Sequence, residues 1–144
     1  MKTKLKPWLS NISLIFIAFL FFAGCTGKKN AENNNEAGPL ELPPAEFKSK
    51  LASSSDAVLI DVRKPEETAE GMIDGAINID YTDSTFAEKI MELDRTRPYF
   101  VYCKSGKRTA GAVEQMEKLG FKNIYSLDGG YSKWQDEGLE TVKP

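Results

Sequence analysis

From residue 42 onward, apolar and polar positions fall into two alternating kinds of block. Short, largely apolar runs have the length of strands buried on both faces: Ala57-Val58-Leu59-Ile60, Ala76-Ile77-Asn78-Ile79, Tyr99-Phe100-Val101-Tyr102 and Asn123-Ile124-Tyr125. Helical spacing fills the intervals. Pro43-Pro44 open a helix with Phe47 and Leu51 four apart, closed at Ser53-Ser54-Ser55. Pro65 suits a first helical turn, Glu66 and Glu67 complement its positive end, and Gly71 ends it. Phe86, Ile90 and Leu93 share a helical face, with Thr85 and Glu88 at capping-box spacing. Ala112, Val113, Met116 and Leu119 form the apolar stripe of the next helix, which Gly120 terminates. Gly129-Gly130 lead into a last helical turn carrying Trp134.

Strands alternating with amphipathic helices predict an α/β fold, a three-layer sandwich in which helices flank a small central parallel sheet. Ligands of such sheets lie beyond the carboxyl ends of the strands. Asp61-Val62-Arg63 follows one strand and Cys103 another, so both are expected at that end. The Tyr99–Tyr102 run begins at Pro98, where a missing N–H is tolerated.

The first 41 residues read differently. Lys2, Lys4 and Lys6 precede a nearly unbroken apolar run over residues 12–23. As a helix it would rise about 18 Å, short of a hydrocarbon core of roughly 30 Å, so a secretory signal is favoured over an uncleaved anchor. Phe22-Ala23-Gly24-Cys25 resembles a bacterial lipobox, although Phe22 stands where an aliphatic residue is usual. That resemblance implies a signal peptide over 1–24, diacylation at Cys25, and a chain held on a membrane of the bacterial cell envelope, its domain facing the periplasm or exterior. Residues 25–41, rich in Asn, Gly, Lys and Glu, would be the tether, and 42–144 the folded domain.

Composition narrows the chemistry. The 144-residue chain contains no histidine and two cysteines, Cys25 and Cys103, which excludes Cys–His and Ser–His–Asp dyads and argues against a metal site. Without residues 1–24 the chain carries 16 basic and 21 acidic side chains. That mildly acidic balance, without a basic stripe, gives no reason to expect nucleic acid.

Cys103-Lys104-Ser105-Gly106-Lys107-Arg108-Thr109 joins a buried strand to a helix. A lone cysteine there reads equally as a small core residue. Against that stand a glycine turn entering a helix N-terminus, which aims several N–H groups inward, and three cations within five positions. Both favour a thiolate that is nucleophilic without imidazole.

At these residues the chain is similar to the rhodanese homology domain from about residue 43 to 140. Leu59-Ile60-Asp61-Val62-Arg63 with Lys64-Pro65-Glu66-Glu67 resembles that family's Asp-Val-Arg strand end and the helix after it. Glu70-Gly71-Met72-Ile73-Asp74-Gly75-Ala76-Ile77-Asn78-Ile79 resembles its Gly-His-Ile-Pro-Gly-Ala-Ile-Asn segment, with Met72 and Asp74 replacing the usual histidine and proline. The Cys103–Thr109 loop matches Cys-x-x-Gly-x-Arg-Ser/Thr, and Leu127-Asp128-Gly129-Gly130 with Trp134 and Gly138 matches the closing motif.

The resemblance implies a sulfurtransferase. The Cys103 thiolate would take a sulfane sulfur from a donor such as thiosulfate, hold it as a persulfide, and yield it to a thiophilic acceptor. No cofactor is implied beyond that covalent intermediate. Lys104, Ser105, Gly106, Lys107, Arg108 and Thr109 would bind the donor, with Arg108 and Lys107 on its anionic end, and Asp61 and Arg63 would brace the loop. The partners expected are small sulfur-containing anions and thiols, with the protein a monomer. A phosphatase of the Cys-x5-Arg type is disfavoured, because the sixth position after the cysteine is Thr109 and the arginine comes one residue early. A non-catalytic binding module, or a carrier that delivers sulfur to one protein partner, remains as an alternative.

Overall fold

The structure, a computed structural model, describes residues 38–144. Five parallel strands form one sheet in the order β1-β5-β4-β2-β3: β1 Leu40–Leu42, β2 Val58–Asp61, β3 Ile77–Asn78, β4 Tyr99–Tyr102 and β5 Ile124–Leu127. Helices α1 Pro44–Ser53, α2 Pro65–Thr68, α3 Phe86–Met91, α4 Lys107–Lys118 and α5 Gly130–Asp136 occupy the intervals. This is the three-layer α/β sandwich expected from the alternation.

Two of the expected details differ. Leu40 and Glu41, assigned to the tether, belong to β1, which pairs with β5 in the register Leu40 to Tyr125 and Leu42 to Leu127. The strand is an edge of three residues stopped by Pro43-Pro44, too short for its alternation to be distinctive. The capping box at Thr85 is not formed: the Thr85 amide and hydroxyl both donate to Asp83 Oδ1 at 2.9 Å. Asp83 supplies an acceptor two residues away, nearer than Glu88. The signal, Cys25 and the rest of the tether up to residue 37 lie outside the described residues.

Strand β4 is buried along its whole length, and its side chains alternate between two cores. Tyr99, Val101 and, past the strand end, Cys103 join Ile60, Val62, Phe86, Ile90, Ala112, Val113 and Met116 on the face covered by α3 and α4. Phe100 and Tyr102 join Leu59, Phe47, Tyr131 and Trp134 on the face covered by α1 and α5. Phe47 sets its edge against Phe100 at 5.2 Å and against Trp134 at 6.4 Å between centroids, and Trp134 Nε1 donates to the Glu140 carbonyl at 2.9 Å. Each fully buried side chain of this size contributes about 1.5–3 kcal/mol. The pairing Asp61 to Tyr102 brings the ends of β2 and β4 level, which sets the stage for the site.

Candidate active site

Cys103 is the first residue beyond β4, and the loop it opens closes into α4 at Lys107. Gly106, at φ +92°, is the left-handed residue that turns the chain into the helix, and its N–H donates to Cys103 Sγ at 3.2 Å. Only 1% of Cys103 is exposed. Burial by itself pushes the thiol up, but the Thr109 hydroxyl and amide and the Ser105 and Arg108 amides, close to the sulfur, favour its charge and outweigh it, and the net direction is down. The thiolate is therefore stabilised by a ring of dipoles rather than by an imidazole. Thr109 has a further property: its hydroxyl is buried, lies near enough to the sulfur to favour the charge, yet forms no hydrogen bond of its own to any protein atom. It is an unspent donor beside the nucleophile.

The loop is held from behind. The N–H groups of Tyr131 and Ser132, at the start of α5, donate to the carbonyls of Cys103 (2.7 Å) and Lys104 (3.0 Å). With those carbonyls tied to α5, the following amides of the loop are left to face the sulfur. Gly130, at φ +61°, makes this approach feasible, since a Cβ there would stand 2.5 Å from the Cys103 carbonyl oxygen.

Asp61 and Arg63 are braces of a different kind from an exposed strand-end pair. They form a buried ion pair, with side chains 0% and 4% exposed, and Arg63 Nη2 lies 2.6 Å from Asp61 Oδ2. Arg63 also donates to the Gly71 carbonyl at 2.7 Å, and its guanidinium lies 4.0 Å from the centroid of the Tyr131 ring. Strand parity puts this pair on the α5 side of the sheet and Cys103 on the α4 side, and the pair reaches the loop through Tyr131, through Tyr102 and, by way of Glu67, through Arg108. Asn78 completes the brace, donating from Nδ2 to the carbonyls of Asp61 and Arg63.

Arg108, expected to hold the donor's anionic end, is engaged by a carboxylate in this structure. Both of its terminal nitrogens donate to Glu67, Nη1 to Oε2 at 2.5 Å and Nη2 to Oε1 at 2.9 Å. The Arg108 hydrogen bond holds the Glu67 carboxyl down to about 2. Lys104 and Lys107 are exposed and make no ion pair among the described residues. Glu67, Gly130, Tyr131 and Asn78 went unassigned in the sequence. Glu67 carried only a helix-end charge signal, and nothing local links it to a residue 41 positions later.

This arrangement is a nucleophilic cysteine in an amide cradle, and comparison with known proteins finds the same sequence frame. The model of the Rhodanese-like domain matches residues 43–137. The chain belongs to the rhodanese-like domain family. It is 36% identical over 97 residues to YtwF of Bacillus subtilis, covering 67% of this chain and 91% of that one. It is 30% identical over 104 residues to a sulfurtransferase of Allochromatium vinosum, with 72% and 95% covered. Among solved structures, a rhodanese-related protein of Thermoplasma volcanium superposes with a TM-score of 0.65 at 33% identity, covering 73% of this chain and 99% of that one. With relatives of this kind, the activity is rhodanese-type sulfur transfer at the level of the family.

Proposed function

We propose that the protein moves a sulfane sulfur through a persulfide on Cys103, with thiosulfate as the simplest donor. The observation that carries the reading is the convergence of loop N–H groups and the unspent Thr109 hydroxyl on one buried sulfur. In the first half-reaction the Cys103 thiolate attacks the outer sulfur of thiosulfate. The new S–S bond forms as the old one breaks, sulfite leaves with the bonding pair, and the charge of the persulfide stays in the cradle. In the second, an acceptor thiolate or cyanide takes the terminal sulfur, and the Cys103 thiolate returns with its pair. No outside oxidant is needed, because the sulfane sulfur carries its oxidation state across. The cradle favours the negative sulfur in both steps.

Residues 26–144, which include the whole matched domain, would be incubated with thiosulfate and weighed intact. A gain of about 32 Da, one sulfur, mapped to Cys103 and removed by cyanide as thiocyanate, is the expected result. An unmodified mass with Cys103 reduced and accessible would remove thiosulfate as the donor, and an unmodified mass with an alkyl hydropersulfide as well would sink the persulfide route and move the weight to a partner-specific carrier or a binding module. The same reading places the domain on a cell-envelope membrane through acylated Cys25. Cys25→Ser should then release it from the membrane fraction, and continued sedimentation with membranes would refute the anchor.

A further inference from the structure

The loop offers three cations to an anionic donor, but they are not equivalent. Lys104 and Lys107 are exposed, and solvent and salt screen them. Arg108 is the half-buried one, and it stands close enough to Cys103 for the sulfur's charge to strengthen its hold on its proton. Glu67 has the larger effect on it, and a bidentate fork is the strongest geometry for such a pair. The carboxylate is itself anchored, since Oε2 accepts the Lys64 N–H at 3.2 Å at the start of α2. The half-buried cation of the loop is thus neutralised, and its fork is occupied.

We infer that Glu67 sets the charge class of the sulfur donor, turning the site from dianions such as thiosulfate toward donors with at most one charge, the organic hydropersulfides R–S–S–H. A dianion gains nothing from a neutral Glu67–Arg108 pair, whereas an arginine without the carboxylate would attract it twice as strongly as a monoanion. A hydropersulfide needs no arginine fork. The Cys103 thiolate attacks its terminal sulfur, the S–S bond breaks, R–S⁻ departs with the pair, and Cys103 carries S–S–H, whose proton then equilibrates with solvent. Its charge demand is within what the loop amides and Thr109 supply. This inference rests on the sulfur-transfer reading and names the donor class for it.

The purified chain and its Glu67→Gln variant would be loaded in single turnover with thiosulfate, and separately with an alkyl hydropersulfide carrying an uncharged alkyl group, released in situ. Rates would be read from the intact mass. Glutamine keeps one oxygen for the Lys64 N–H and Arg108 Nη1, while its NH2 takes the place of the oxygen that Arg108 Nη2 uses, so the variant removes the charge and one hydrogen bond of the fork. For a separation taken as about 7 Å in a water-like medium, loss of one charge should raise the second-order constant for thiosulfate about sevenfold and that for the hydropersulfide less than threefold. The gain for thiosulfate should also shrink with added salt. The ratio of the two constants does not depend on the active fraction, so partial misfolding does not disguise the result. A fall in thiosulfate loading would mean that Glu67 instead positions Arg108 as a donor clamp, and would overturn the inference, as would an unmoved ratio. Should Glu67→Gln load from neither donor, Arg108→Gln reads the same charge from the other side. With the carboxylate left unpaired, thiosulfate should lose at least about 2.5-fold more than the hydropersulfide, and equal losses overturn the proposal. A native chain that takes sulfur from neither donor refutes the transfer reading itself, which separates the two failures.

Discussion

Gly130→Ala tests how the active loop is positioned. The added Cβ would lie 2.5 Å from the Cys103 carbonyl oxygen and 2.7 Å from the carbonyl carbon and oxygen of Lys104. All three are backbone atoms and cannot swing aside, so either the loop or the start of α5 must retreat by about half an ångström or more. Retreat lengthens the bonds from the Tyr131 and Ser132 amides, now 2.7 and 3.0 Å. Two costs add: about 1–2 kcal/mol for a side chain in the left-handed region and about 1–3 kcal/mol for the overlap. Gly75→Ala separates them. Gly75 also has a positive φ of 76°, but a Cβ there meets nothing within 4 Å. Urea melts should place Gly75→Ala about 1–2 kcal/mol below the native protein and Gly130→Ala about 2–5 kcal/mol below it. Sulfur loading should separate the pair further. Gly75→Ala should load at the native rate, whereas a displaced cradle costs up to about 100-fold for a misplacement near 1 Å. A Gly130→Ala protein that matches Gly75→Ala in stability and loads normally would refute this account of the loop.

Three further outcomes follow from the site. Because the net direction for the Cys103 thiol is down, alkylation by iodoacetamide should reach half its limiting rate below the ordinary thiol pKa of about 8.5, and Thr109→Val should move that midpoint upward; an unchanged midpoint in the variant would remove the hydroxyl from the cradle. Asp61→Asn strands a buried guanidinium and should cost about 3–5 kcal/mol in a denaturant melt, with a loss under 1 kcal/mol counting against the brace. The Glu67 carboxyl is lowered from 4.5 to about 2, so its pair with Arg108 contributes stability in full above pH 4.5 and loses it as pH falls toward 2. The pair is about a quarter exposed, so the effect should be about 1 kcal/mol, and Glu67→Gln should flatten that part of the acid-stability curve.

The residues of this chain determine by themselves where strands and helices form and where the nucleophile stands. Four of the five strands, and a cysteine at a strand end before a glycine turn, are readable because burial, period and turn chemistry act over a few neighbouring residues. Parity along β4 even shows that Cys103 continues the face of Tyr99 and Val101. Tertiary structure alone decided what those local features meet. Edge strand β1 exists because β5 pairs with it, not because Leu40-Glu41-Leu42 insists on being extended. Asp61 and Arg63, expected at the loop, lie across the sheet from Cys103 and reach the loop through intermediaries, Tyr131, Tyr102 and Glu67. Arg108, written into the loop as a donor-binding cation, is paired with Glu67. The reason is physical: local patterns set conformation and burial, whereas the partner of a charge or a carbonyl depends on strand order and register, which bring together residues far apart in the chain.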